Sequence, residues 1–381
     1  LTTQVVKPTT KLDQFLHEQR PPTPFVVVDV DVVADRYHEL VTALPAAVVY
    51  YAVKANPAPA VLRRLVAVGS SFDVASPAEI DLCLEAGAVA GSLSYGNTVK
   101  KRRDVAYAAS VGVTRYTVDA AEELDKVLSV APGSSVCVRV RYDGATADWP
   151  LTRKFGCTPD EAARLLVDAT NAGSECGISF HVGSQQRNAA AWDEPLGVVA
   201  GVFDRARDGG AAPSFVNLGG GLPGSYREAA PSLGEYGTAI GKALDGAFGD
   251  QLPDLMVEPG RYLVADAGVL RSEVVLVARR APDEPRWVYL DCGKFHGLAE
   301  TMDEAIRYRL RTNRDGGPVG PVAIAGPTCD SADVLYEKAD YQLPLELAEG
   351  DMVDIMSAGA YTTTYSSVGF NGFAPLAEHY I

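Results

Sequence analysis

The chain has 381 residues, 47% of them hydrophobic and 22% charged, the composition of a globular protein of about two domains rather than a disordered or fibrous one. Its 34 Lys and Arg against 49 Asp and Glu leave a net charge of -15, which argues against a nucleic-acid partner or an anionic membrane surface. No apolar run reaches the roughly 18 residues of a membrane helix, the first residues lack the basic-then-apolar order of a secretion signal, and a cytoplasmic protein is expected.

In chain order, β-rich runs alternate with helical stretches. VVYYAVKAN (48–56) precedes PAPAVLRRLVAVG, and SFDVAS (71–76) precedes PAEIDLCLEAG. SLSYGN (92–97), RYTVD (115–119), SVCVRVRYD (135–143), GISFHVGS (177–184), FVNLGGG (215–221) and DLMVEPGR (254–261) complete a series of eight. Helix starts are signalled by pairs such as Thr158 and Pro159. Eight such units predict a (β/α)8 barrel over 29–270, with a doubly wound open sheet as runner-up. Beyond residue 270 the pattern turns to strands without long helices: VVLVARR, RWVYLDCG, PVAIAGPTCD, DMVDIMSAGAY. This predicts an all-β, sandwich-like domain made of 271–381 joined by 1–28. The six cysteines include no CxxC and the five histidines have no ligand spacing, so neither a disulfide scaffold nor a metal site is expected.

A barrel of this kind carries its site at the carboxyl ends of the strands. Lys54, Asp73, Arg139, His181, Gly219 to Gly221, Glu258 and Arg261 all fall there. Any one of them reads equally well as a solvated loop residue; the set does not. Lys54 follows an apolar run in which an unpaired ammonium is costly, an environment that favours the neutral amine of a Schiff base. GGGLPG fits G-x-G-x-x-G, but it comes late in the series and no acidic residue ends a strand about 20 positions on. No Lys-Ser/Thr follows either, which excludes a P-loop. What remains is a glycine turn whose N–H groups can hold one phosphate. An imine-forming lysine, a phosphate cradle, an arginine and a carboxylate at barrel strand ends point to pyridoxal 5'-phosphate.

YAVKAN, FDVASPAE, HVGS, NLGGG, EPGR, GPTCDSAD, GAYT and FNGF follow one another between Pro24 and Phe373. In that order they resemble the motifs of fold-type III pyridoxal-phosphate-dependent decarboxylases, the ornithine/lysine and diaminopimelate decarboxylase family, whose alanine racemase-like architecture is a barrel with a C-terminal β domain. The stretch LDCGKFHGLAETMDEAIRYRL is similar to a bacterial subgroup rather than to eukaryotic ornithine enzymes. The resemblance implies that Lys54 carries the cofactor, that His181 lies on one face of its ring and that Glu258 pairs with the pyridine nitrogen. It places Ser184, Gly219, Gly220, Gly221, Arg261 and Tyr361 around the phosphate, with Asp73, Glu79 and Arg139 orienting Lys54 and the ring. It implies a homodimer with shared sites, in which Cys329 returns a proton to Cα after CO2 departs, a transfer a thiol can make. Asp330, helped by Asp291 and near Tyr361, would bind the distal ammonium of a diamino acid. Lys154 and Asp333 resemble an ion pair between subunits.

The expected reaction is decarboxylation of ornithine, or next lysine, to a diamine. Alanine racemases share the fold type, but an acidic partner for the ring nitrogen favours a protonated ring and a deep electron sink. Diaminopimelate carries a distal carboxylate, which Asp330 opposes. Large arginine decarboxylases of this fold type are much longer than 381 residues, which places arginine behind ornithine and lysine. A catalytically dead binding homologue would have lost cofactor or catalytic positions, and Lys54, Glu258, Cys329 and Asp330 are all present.

Overall fold

The computed structural model describes residues 10–142, 147–150 and 154–381; Asp143, which ends the fifth of the eight runs, lies outside them. The chain begins with α1 (Lys11–Glu18), where Thr10 accepts from the Asp13 amide, followed by β1 (Phe25–Val28) and α2 (Val30–Ala43). Eight strands then close a barrel: β2 (Ala47–Ala52), β3 (Ser71–Val74), β4 (Leu93–Tyr95), β5 (Arg115–Val118), β6 (Ser135–Arg139), β7 (Cys176–Ser179), β8 (Phe215–Asn217) and β9 (Asp254–Val257). Every neighbouring pair is parallel, and β9 returns to β2. Between them run α3 (Pro59–Ala67), α4 (Pro77–Glu85), α5 (Arg102–Ser110), α6 (Ala121–Val130), α7 (Pro159–Asn171), α8 (Asp193–Asp208) and α9 (Leu233–Phe248), and α10 (Arg261–Val264) follows β9.

The helices start where the sequence supplies acceptors for their open N–H groups. Ser76 and Thr158 cap α4 and α7, each with proline at the start of the helix, and Ser232 with Glu235 forms a capping box on α9. The helices between the barrel strands set their apolar faces on the barrel, as with Ile80, Leu165, Leu196 and Ile240, all 1% exposed or less. The barrel interior is graded. At the amino-terminal end, Arg115, the first residue of β5, lies over the rings of Tyr50 and Phe215 and donates to the Tyr50 hydroxyl. Tyr50, Cys137, Phe215 and Met256 form one packed cluster next to it. At the other end the interior becomes polar.

The second compact unit comprises residues up to Val33, Gly224–Glu228 and Val264–Ile381, so the division falls at 33/34 and 263/264 rather than at the expected 28/29 and 270/271. It holds β10 (Gly268–Arg279), β11 (Arg286–Leu290), β12 (Leu310–Thr312), β13 (Val319–Ala325), β14 (Val334–Pro344), β15 (Met352–Met356) and β16 (Ala377–Tyr380). The strand order is β12-β15-β10-β11-β13-β14, with β1 joining antiparallel to β10 and parallel to β16. The long β10 shifts register between Val274 and Leu276, so its first half pairs with β15 and its second with β11. β14 has no counterpart among the runs read from sequence. Among the described residues no helix is long and apolar enough to cross a membrane.

Candidate active site at the carboxyl end of the barrel

The residues after the barrel strands converge as the sequence pattern implied. Lys54 sits in a short 3-10 turn (Val53–Ala55) directly after β2, and its Nζ lies 3.5 Å from Asp73 Oδ2 at the end of β3. Its side chain is 56% exposed. This corrects the expectation of an apolar setting: the apolar run ends at Val53, and Lys54 is held by a carboxylate instead. Asp73 is itself buried, and desolvation raises its pKa against the pull of Lys54, Arg139 and the Gly96 amide. A Cβ on Gly96 would come within 2.0 Å of Asp73 Oδ1, so any larger residue there would push the Asp73 carboxylate aside. Glu79 stands one step back. Its Oε2 accepts from the Ala75 amide at 2.7 Å, which ties the end of β3 to the start of α4, and burial raises its pKa.

Across the mouth, His181 Nδ1 accepts from the Gly183 amide at 2.9 Å. Burial, and then the charges of Arg139 and Lys54, hold its pKa well below the ordinary 6.5, so the ring is neutral with its remaining proton on Nε2. Arg139 ends β6 with its guanidinium 4.8 Å from the centre of the Phe155 ring. Burial lowers its pKa, while Glu258, Asp119 and Asp73 favour its charge. Glu258 follows β9 and has its pKa raised to about 7, first by burial and then by Asp73. Asn217 Nδ2 donates to Glu258 Oε1 at 2.5 Å and opposes that rise. Thr117 and Ser179 are buried beside Cys137 and line a small cavity with Gly96, Arg139, His181 and Glu258.

The glycine turn follows β8. Gly219 and Gly221 have φ of +68° and +116°, and a Cβ would lie 2.2 Å from the Phe180 carbonyl oxygen at the first and 2.7 Å from that of Gly183 at the second. At Gly220 a Cβ would reach 2.7 Å from the Glu258 carbonyl oxygen and 3.1 Å from His181 Nε2. The Gly219 amide is taken by Asn217 Oδ1 at 2.9 Å, so the turn offers the amides of Gly220 and Gly221, not all three. Arg261, 3% exposed at the start of α10, donates through Nε and Nη2 to Ser184 Oγ at 3.3 and 3.1 Å. A buried guanidinium, a hydroxyl and glycine amides make an anion site.

The barrel therefore brings together Lys54, Asp73, Arg139, His181, Ser184, Gly219, Gly220, Gly221, Glu258 and Arg261. The remaining expected residues, apart from Glu79 and Lys154 of the barrel unit, belong to the sheet unit. Cys329 and Asp330 are exposed there; the Cys329 amide donates to Asn371 Oδ1, and Asp330 Oδ1 accepts from the Ala332 amide, both at 2.8 Å. Asp291 Oδ1 accepts from the Ser272 hydroxyl at 2.6 Å and the Glu273 amide at 3.0 Å. Tyr361 has φ +56°, a backbone state uncommon outside glycine. Asp333 is 2% exposed and accepts from the Lys294 amide and from the Thr328 amide and hydroxyl, while Lys154 Nζ lies 5.0 Å from the centre of the Phe155 ring. Asn217 and Gly96 were not singled out from sequence. The signal for Asn217 was present, since an Asn two residues before a glycine forms an Asx turn.

Three properties fit pyridoxal phosphate. Thr117 and Ser179 line a small cavity beside Glu258 and His181, the glycine cradle admits no Cβ, and cationic and acidic groups stand at its two ends. The family model for the pyridoxal-dependent decarboxylase pyridoxal binding domain matches residues 30–265. The lysine/ornithine decarboxylase of Selenomonas ruminantium is 37% identical over 357 residues, covering 93% of this chain and 88% of that one. The crystal structure of the Vibrio vulnificus lysine/ornithine decarboxylase complexed with cadaverine superimposes with a TM-score of 0.87 at 30% identity, covering 98% of this chain and 99% of that chain. The Paramecium bursaria Chlorella virus arginine decarboxylase does so with a TM-score of 0.88 at 29% identity, covering 97% and 99%. The fold and its site define a fold-type III pyridoxal-phosphate enzyme. Within that class, the chain belongs to the pyridoxal-dependent decarboxylase family, in its ornithine/lysine decarboxylase branch. The viral enzyme also corrects one expectation: an arginine decarboxylase of this fold can be matched over 99% of its length by this chain, so length does not set arginine aside.

Proposed function

We propose that this chain decarboxylates a basic L-amino acid, ornithine first and lysine next, to a diamine and CO2, as a cytoplasmic homodimer whose two sites each draw on both subunits. The observation that carries the reading is Glu258, a buried carboxylate fixed by Asn217 at the barrel mouth. Lys54 would anchor the cofactor, Glu258 would pair with its ring nitrogen, and Ser184, Arg261, Tyr361 and the Gly220 and Gly221 amides would hold its phosphate. When bound, pyridoxal phosphate supplies the electron sink that takes up the pair left behind by CO2. The chain's own part is positional and acid–base. Asp73, 3.5 Å from Lys54 Nζ, would orient that amine toward the cofactor. Neutral His181 would lie on one ring face and can donate only from Nε2. Arg139 balances the two buried carboxylates on either side of it. Cys329 would deliver the proton to Cα, and Asp330, helped by Asp291, would meet the distal ammonium.

The test is kcat/KM for ornithine, lysine, arginine and diaminopimelate on the wild type and on Asp330→Ala. The variant should lose on the order of 2–4 kcal/mol with ornithine, the scale for removing one partner of a desolvated charge pair. Its affinity for the cofactor should stay unchanged. An equal loss with norvaline, which has no distal amine, would show that Asp330 does not read that group, and a wild type faster on arginine or diaminopimelate would reassign the substrate.

A further inference from the structure

Three hydrogen bonds close a ring at the carboxyl ends of β8 and β9. Asn217 Oδ1 accepts from the Gly219 amide at 2.9 Å, Gly219 O accepts from the Glu258 amide at 2.8 Å, and Glu258 Oε1 accepts from Asn217 Nδ2 at 2.5 Å. Asn217 is 1% exposed, so neither end of its amide is screened by water. The orientation of that amide is dictated rather than chosen: the Gly219 amide can only donate, so the carbonyl oxygen must face it and the NH2 must face Glu258. The NH2 in turn stabilises the ionised form of Glu258.

From this ring we infer that Asn217 is a positioning residue that locks the ring-nitrogen carboxylate to the phosphate turn and favours the ionised form of that carboxylate. The inference rests on the proposed function, because it takes Glu258 and the glycine turn as the two ends of one cofactor site. One side chain sets both ends. Through Gly219 it fixes where the Gly220 and Gly221 amides point, and through Glu258 it sets the pH above which an anion is available to the ring nitrogen.

Two variants separate these effects. Asn217→Asp keeps the acceptor for the Gly219 amide but turns a second carboxylate oxygen toward Glu258. Asn217→Ala loses both bonds. The measurement is the dissociation constant of pyridoxal phosphate from the apoprotein between pH 6 and 9, read by fluorescence, with borohydride capture on Lys54 and a melting curve for each variant. Asn217→Asp should move the pH midpoint of binding upward by about one unit or more and leave the affinity above that midpoint within about threefold. Asn217→Ala should weaken binding at least tenfold across the range, and adding Glu258→Gln to it should weaken binding less than the product of the two single effects. Variants that keep the wild-type midpoint and affinity would overturn the inference. So would loss of fold in both, which would make Asn217 a scaffold residue only. A wild type that fails to capture the cofactor on Lys54 would instead remove the functional reading, and this inference with it.

Discussion

Replacing Glu258 by glutamine should make the cofactor-free protein more stable at pH 8 while weakening cofactor binding. The folded pKa of Glu258 is raised from 4.5 to about 7 by burial and by Asp73. A carboxyl group with a raised folded pKa contributes stability that is complete below its unfolded pKa and is lost as pH rises through the folded one. The difference of about 2.5 units corresponds to about 3 kcal/mol at 1.36 kcal/mol per unit, present near pH 4.5 and gone by pH 8. Glutamine carries no such charge, and its carbonyl oxygen can still accept from Asn217 Nδ2, so the ring of bonds survives. With roughly 2–4 °C per kcal/mol for a domain the size of the barrel, the Glu258→Gln apoprotein should melt about 6–12 °C above wild type at pH 8. The two should melt together near pH 4, below the unfolded pKa. The assay is thermal melting of apoprotein, stripped with hydroxylamine, followed by circular dichroism at both pH values. Saturating pyridoxal phosphate should reverse the order at pH 8, because only the wild type gains an ion pair with the ring nitrogen. A stability difference that is the same at both pH values, or a Glu258→Gln apoprotein less stable than wild type at pH 8, would refute the reasoning.

Gly96→Ala should displace Asp73, since the added Cβ would stand 2.0 Å from its Oδ1; overpacking of this kind costs about 1–3 kcal/mol, to be read from denaturant midpoints, with a larger fall in kcat than in the stability of the fold. For the shared-site dimer, mixing Lys54→Ala chains with Cys329→Ala chains should restore about a quarter of wild-type activity, because half of randomly paired dimers are mixed and each has one intact site. No recovery after verified subunit exchange would exclude sites built across the interface.

The barrel was legible because its strands are short, buried, mostly apolar runs, most of them closed by Gly, Pro, Asn or Ser, and the eight runs overlap the eight observed strands. β14 was not. Its sequence VLYEKADYQLP alternates only in part, and Asp340 takes a φ of +51° within it, so it reads as a loop. The positions of Lys54, Glu258 and the glycine turn at strand ends could be read from the chain alone, whereas the roles of Cys329 and Asp330 came only through resemblance. Two features needed three dimensions. Nothing in SYGN says that Gly96 backs onto Asp73, a residue 23 positions earlier. The apolar letters before Lys54 misled, because a strand end faces out of the core that the strand itself helps to build.

The graded interior of the barrel bears on traffic. Arg115 lies over Tyr50 and Phe215 at the amino-terminal end and is paired to Glu175 at 3.7 Å, with Met256 packed beside it. This floor is a packed layer of aromatic, thioether and paired charged side chains at the end of the barrel opposite Lys54 and the glycine turn. The barrel is in that sense a vessel with one opening. Amino acid, diamine and carbon dioxide must all pass through the same entrance, and the order in which they leave is a property of the loops around that entrance, not of the barrel wall.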